Sequence, residues 1–218
     1  VVVDEATDFS PVQLACMAAL AHPRLRSFFA CGDFNQRLTT WGSRSAEELQ
    51  WVFSDFDIRR ITMAYRQSRQ LNELARDIIQ CVGGSDQDAS LPAEVNNEGV
   101  APALLEYASG GDVPAWLAAR IREIEQYLGQ LPSTAIFVNS EAEVEPIALA
   151  LSDALAEQNI QVVACREGQA VGQESNVRVF DVQHIKGLEF EAVFFVGVDE
   201  LASARPDLFD KFMYVGAT

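Results

Sequence analysis

VVVDEATD, residues 1–8, runs three β-branched side chains into two adjacent carboxylates, Asp4 and Glu5. So short an apolar run, closed by acid, predicts a buried parallel strand with Asp4 and Glu5 at its carboxyl end. Ligand sites of open α/β sheets lie at that edge. Two neighbouring carboxylates there suit two tasks. One can hold a hard cation such as Mg²⁺, usually through water. The other can orient and deprotonate an attacking water in phosphoryl transfer. The alternative is a strand followed by an acidic helix start, where Asp and Glu favour the helix dipole.

The same rhythm continues outward from this stretch. Ser10-Pro11 is a cap followed by Pro at the first helical position, predicting a helix over Val12–Ala21. SFFAC, Ser27–Cys31, reads as a second buried strand that closes on Gly32-Asp33. A short helix is expected over Ser45–Phe53 and a strand over Ile58–Met63. The apolar positions Leu71, Leu74, Ala75, Ile78 and Ile79 give Ser68–Val82 one helical face. Gly83–Gly99, rich in turn formers and acid, reads as a loop or linker.

Beyond that linker, strands are expected at Ala103–Tyr107, Ala135–Asn139, Gln161–Ala164, Val177–Val182 and Ala192–Val198. Helices are expected at Val113–Leu128, at Glu143–Glu157, and from about Pro206 onward. Strands alternating with helices predict an α/β fold with parallel sheets built from βαβ units. No internal repeat of fixed period is apparent.

Composition narrows the partners. Hydrophobic residues make up 49% of the 218, enough for a substantial core, and no apolar run reaches membrane-span length. The formal charge is −16, opposite in sign to the usual footprint of nucleic-acid binding. A local groove or a cationic partner domain is compatible with that charge. Cys16, Cys31, Cys81 and Cys165 are widely spaced without metal-type pairing, which points to a reduced, cytoplasmic protein. The first residue is Val and the last lies inside an expected helix, so the chain reads as an excerpt of a longer protein.

Four further stretches carry chemistry. In GDFNQ, Gly32–Gln36, the Gly lets the chain turn off its strand. Gln36 can donate and accept, which suits a group placed between a phosphate oxygen and a water, or the stretch is an ordinary polar turn. Trp41, in TTWGS, is either a stacking platform worth about 1–3 kcal/mol per base, or a Trp folded back with Trp51 and Phe53. Tyr65-Arg66 offers a stacking ring and a cation for a transferring phosphoryl group, or is a surface pair at a helix start. In DVQHIKGLEFEAVFFVGV, Asp181–Val198, a strand breaks at Lys186-Gly187, displays Glu189 and gives way to a second apolar strand. Gly at such a break marks close backbone approach. His184 reads as a satisfied strand-end histidine.

In this order the stretches resemble the superfamily 1 DNA helicases of the UvrD/Rep/PcrA type. VVVDEATDFS is similar to that family's Mg²⁺ and catalytic-base motif, and GDFNQ with Trp41 to the motif joining γ-phosphate to single-stranded DNA. AYRQS is similar to NYRS, IKGLEFEAVFFV to KGLEF, and FMYVGAT to the start of the last motif. The resemblance implies that Asp4 holds Mg²⁺, Glu5 activates the lytic water and Gln36 senses the γ-phosphate. It implies that Tyr65 stacks on adenine, Arg66 reaches the γ-phosphate, Gly187 and Glu189 lie near the nucleotide, and Trp41 stacks on a DNA base.

It further implies two RecA-like motor domains, a partial N-terminal one at 1–60 and most of the C-terminal one at 61–218, with ATP in the cleft between them. The first half-sheet is then expected to be exposed or paired with another chain. The implied partners are ATP, single-stranded or duplex DNA and the remainder of the parent chain, with no membrane. Thr7 stands where Gln is usual and Ala64 where Asn is common. Gln183 and His184 are shifted from the usual His, and carry no role over.

About 110 residues separate Arg66 from Val177, so the family's large insertion is expected to be missing or reduced. No G-x-x-x-x-G-K-[ST] sequence is present. The Arg expected after Thr218, worth about 10³–10⁵ in rate as a finger, also falls outside the chain. The excerpt alone is therefore expected to be inactive. Two alternatives remain at this level: a nucleotide-switch ATPase that does not unwind, and an acidic, non-enzymatic scaffold for protein partners.

Overall fold

The computed structural model describes residues 1–25, 27–52, 57–59, 67–81, 95, 97–106, 112–173 and 175–218. In chain order the regular elements are β1 (Val2–Val3), α1 (Pro11–Ala19), β2 (Phe29–Ala30), α2 (Ala46–Val52), α3 (Arg69–Cys81), α4 (Val113–Leu128), β3 (Thr134–Val138), α5 (Glu141–Leu155), β4 (Val162–Ala164), β5 (Val177–Asp181), β6 (Ala192–Phe195), α6 (Val198–Ala204) and α7 (Phe209–Ala217). The chain divides into two compact units. One is Val1–Pro102 with Asp207–Thr218, the other Ala103–Pro206.

In the first unit β1 and β2 pair in parallel, Val2 opposite Phe29 and Val3 opposite Ala30. Val3, Ala6 and Leu14 form a small core, lined by Phe9, Met17, Phe28, Leu49 and Val52. The half-sheet is exposed, as the resemblance implies, so its strands are not the buried ones their apolar runs predict: Val2 is 76% and Phe29 59% exposed, because among the described residues no layer covers the face that bears them. α1 begins as its sequence dictates. The Ser10 hydroxyl accepts from the Gln13 amide, the Gln13 side chain accepts from the Ser10 amide, and Pro11 takes the first helical position. Such a reciprocal cap satisfies two amides that the helix leaves open. Further along, the apolar face of α3 meets α7, where Ala75 and Ile79 pack on Tyr214 and Ala217.

The second unit is a four-stranded sheet in the order β4-β5-β3-β6, and every pair is parallel. Central β3 is buried along its whole length. Alternation sorts its side chains. Ile136 and Val138 join Leu117 and Ile121 of α4 and Leu151 of α5 in the main core. Phe137 sits between them and stacks on Phe180 and Phe195 at 5.8 and 5.4 Å. The Asp112 carboxylate caps α4, and Gly129, at φ 75°, ends it in the left-handed region where glycine costs least.

The parallel α/β class therefore holds, with three further departures. Ala103–Glu106, expected as a strand, has no regular structure, and Leu104 and Leu105 stand exposed. An apolar run becomes a strand only where a neighbour accepts its backbone hydrogen bonds. Ile58 and Arg59 are likewise not in a strand, and the rest of that expected element lies outside the described residues. The apolar run after Glu191 stops as strand at Phe195, because Gly197 at φ 69° turns the chain into α6. Most of the expected loop at Gly83–Gly99 also lies outside the described residues.

Candidate nucleotide site and its surroundings

β1 hands the chain directly to Asp4 and Glu5. Glu5 adopts φ 51° and ψ 40°, left-handed geometry that L side chains avoid. It costs a non-glycine residue about 1–2 kcal/mol. The Glu5 amide donates to Asp4 Oδ1 at 2.9 Å, which helps hold the turn. Asp4 is exposed and also accepts from the Cys31 thiol at 3.1 Å. That hydrogen bond, with burial and the nearby carboxylates, raises the Cys31 pKa, so the thiol stays a neutral donor beside Asp4.

The two acid-bearing turns are bound to each other. The Ala6 amide donates to the Cys31 carbonyl at 2.8 Å. The buried Thr7 hydroxyl donates to the Asp33 carbonyl at 2.9 Å. A Cβ on Gly32 would stand 3.1 Å from the amides of Ala6 and Thr7, so a residue without a side chain suits this crossing. Thr7, where the resemblance leads one to expect Gln, thus ties the first motif to the second. A short 3₁₀ turn follows over Phe34–Gln36, capped by the Asp33 carboxylate on the Asn35 amide at 2.8 Å.

The Trp41 loop is fastened to the same segment. Ser43, fully buried, donates through its hydroxyl and its amide to the Phe9 carbonyl, and Thr39 donates to the Asp8 carbonyl. Trp41 is 61% and Trp51 67% exposed, and both line an open hollow of about 570 Å³ together with Arg44. Gly42 sets how closely the loop can lie. A Cβ there would fall 2.2 Å from the Thr7 carbonyl oxygen and 2.6 Å from the Thr39 hydroxyl. Gly42→Ala is expected to destabilise the first unit by about 1–3 kcal/mol, as overpacking does. A chemical denaturation midpoint equal to that of the wild type would contradict this close approach.

α7 closes on the second turn. Tyr214, 2% exposed, donates to Asp33 Oδ2 at 3.1 Å. The Gln36 side-chain Nε2 donates to the Thr218 hydroxyl at 3.1 Å, and that hydroxyl donates to the Tyr214 carbonyl at 3.0 Å. Burial first, then the Asp33 carboxylate, pushes the Tyr214 hydroxyl far above its ordinary range, so it remains a donor. Sequence reading did not single out Tyr214 or Thr218. Their spacing of one helical turn within FMYVGAT, which puts both on one face, was the available signal.

The remaining expected residues are placed separately. Gly187 and Glu189 belong to the second unit. Gly187 has φ 78°, with open space where a Cβ would be, and Glu189 is exposed. His184 packs against Gly168, in keeping with a structural histidine. Tyr65 and Arg66 lie outside the described residues. Among the described residues no three His, Cys, Asp or Glu side chains form a metal cluster. Mg²⁺ at a nucleotide needs fewer, one or two carboxylates with water and phosphate completing the shell. Exposed Asp4 at the strand end fits that requirement.

The fold and this edge define a parallel α/β protein with paired carboxylates at a strand terminus. Residues 176–218, from the start of β5 through α7, match the family model of the UvrD-like helicase C-terminal domain. That segment contains both the Lys186-Gly187 turn and the Tyr214–Thr218 face. No curated protein matches the chain.

Proposed function

We propose that these residues form part of an ATP-dependent DNA helicase or single-strand translocase, with a partial N-terminal motor domain at 1–60 and most of the C-terminal one at 61–218. The observation carrying this reading is the helicase-type match at 176–218, in a chain whose β1 also delivers Asp4 and Glu5 to a parallel-strand terminus. Asp4 holds Mg²⁺, which offsets phosphate charge when bound. Glu5 takes the proton of the attacking water. Gln36 reads the γ-phosphate, and Arg66 neutralises charge building on the transferred group. Tyr65 stacks on adenine, while Gly187 and Glu189 approach the nucleotide, Glu189 towards the ribose. Trp41 offers its exposed indole to a DNA base, and its hydrogen-bonded loop joins that contact to the residues after β1.

All four cysteines are free thiols, which supports a reducing, cytoplasmic setting. No helix among the described residues is long and apolar enough to cross a membrane. Hydrolysis also needs a phosphate-binding loop and an arginine finger, so the assay belongs to the complete protein. It is expected to displace the strand of a partial DNA duplex only with ATP and Mg²⁺. DNA-stimulated hydrolysis without displacement would reduce the activity to a nucleotide switch. Neither hydrolysis nor displacement would favour a protein-binding scaffold, the reading the −16 charge suits best.

A further inference from the structure

We infer that Tyr214 and Thr218 are positioning residues for Gln36, so that α7 sets where the phosphate-sensing amide points. The inference rests on the reading of Gln36 as that sensor. The geometry is specific. Asp33 uses one carboxylate oxygen to cap the 34–36 turn and the other to accept from Tyr214. Gln36, at the far end of the same turn, is held by Thr218. Both ends of a three-residue turn are therefore gripped from one face of one helix.

Packing alone does not account for this. The Tyr214 ring lies with Ala75 and Ile79, and a phenylalanine would fill that space equally well. Burying the hydroxyl is costly unless it is hydrogen-bonded, and its partner here is the residue that caps the sensor turn. Thr218 is anchored in turn, because its carbonyl accepts from Gln67 at 3.0 Å. Gln67 belongs to AYRQS, so three of the motif-bearing stretches meet at these hydrogen bonds. A shift of α7 must move Asp33 and Gln36 together, or break both contacts.

The test uses steady-state ATP hydrolysis by the complete protein, with Tyr214→Phe and Thr218→Val, each alone and combined with Gln36→Ala. Tyr214→Phe keeps the ring and removes only the hydroxyl. A reacting group misplaced by about an ångström loses on the order of 10²-fold in rate. Each single variant is expected to lower kcat about 10- to 100-fold, with KM for ATP within about twofold of wild type. Added to Gln36→Ala, neither is expected to cause further loss, since residues acting through one group are not additive.

An unchanged kcat in both single variants overturns the inference. So does a loss confined to KM, or losses that multiply in the double variants. Thr218→Val carries the test if Tyr214→Phe fails to fold. Failure of the underlying function reads differently: the wild-type protein itself would hydrolyse no ATP.

Discussion

Glu5→Gln is expected to lower ATP hydrolysis by about 10²- to 10⁴-fold, the usual contribution of a positioned general base, while ATP affinity stays near that of the wild type. Glutamine matches glutamate in shape and still hydrogen-bonds, but it cannot take a proton from water. The local backbone makes the substitution clean. Glu5 is held in left-handed geometry by the Asp4 carboxylate on its amide and by the Ala6 amide on Cys31, and neither contact uses the Glu5 side chain. The turn should therefore survive.

Strain of this kind persists where surrounding structure over-determines it, and such outliers cluster at functional sites. Glycine would relieve it, yet the position carries a carboxylate. The measurement is single-turnover and steady-state hydrolysis alongside direct nucleotide binding. Hydrolysis at the wild-type rate in Glu5→Gln would remove Glu5 from the chemistry.

What could be read from residues alone followed the range of the forces involved. Local forces were legible. The Ser10-Pro11 cap, the Val113–Leu128 helix between Asp112 and Gly129, and the five-residue strands β3 and β5, rich in β-branched and aromatic residues, are set by their own local sequence. Runs whose fate depends on a distant neighbour were not. Ala103–Glu106 has strand-like residues but takes no regular structure. The run entering α6 is cut by Gly197 for reasons of backbone geometry that its apolar flanks conceal.

The candidate site divides in the same way. Asp4 and Glu5 follow β1 directly, and Gln36 closes the turn after β2; each is a candidate that residue type alone suggests. Tyr214 is not, because its partner Asp33 is 181 residues away in sequence. Thr7, which stands where the resemblance leads one to expect Gln, is a buried bridge between two turns. A hydroxyl's role depends on which carbonyl it reaches, and that is decided only once both turns are folded.

The second large effect concerns the scaffold that carries Gly187 and Glu189. Ile136→Ala is expected to destabilise the second unit by about 2–5 kcal/mol, the range for deleting a buried aliphatic side chain and leaving a cavity. Ile136 is fully buried on the central strand, opposite Val179 on one side and Phe194 on the other. It belongs to the same core cluster as residues of α4, α5 and β5, a close-packed setting in which a deleted side chain leaves a cavity. Domains of this size are stable by only about 5–15 kcal/mol. At roughly 4–8 °C per kcal/mol, Tm should fall by about 8–40 °C.

Leu149→Ala supplies the contrast. Leu149 lies on α5 but is 62% exposed, so its loss should change stability by no more than about 0.5 kcal/mol. Comparable losses in the two variants, followed by thermal unfolding, would mean that α5 presents a different face to the sheet. The turn bearing Gly187 and Glu189, which follows β5 within a few residues, would then need a different support.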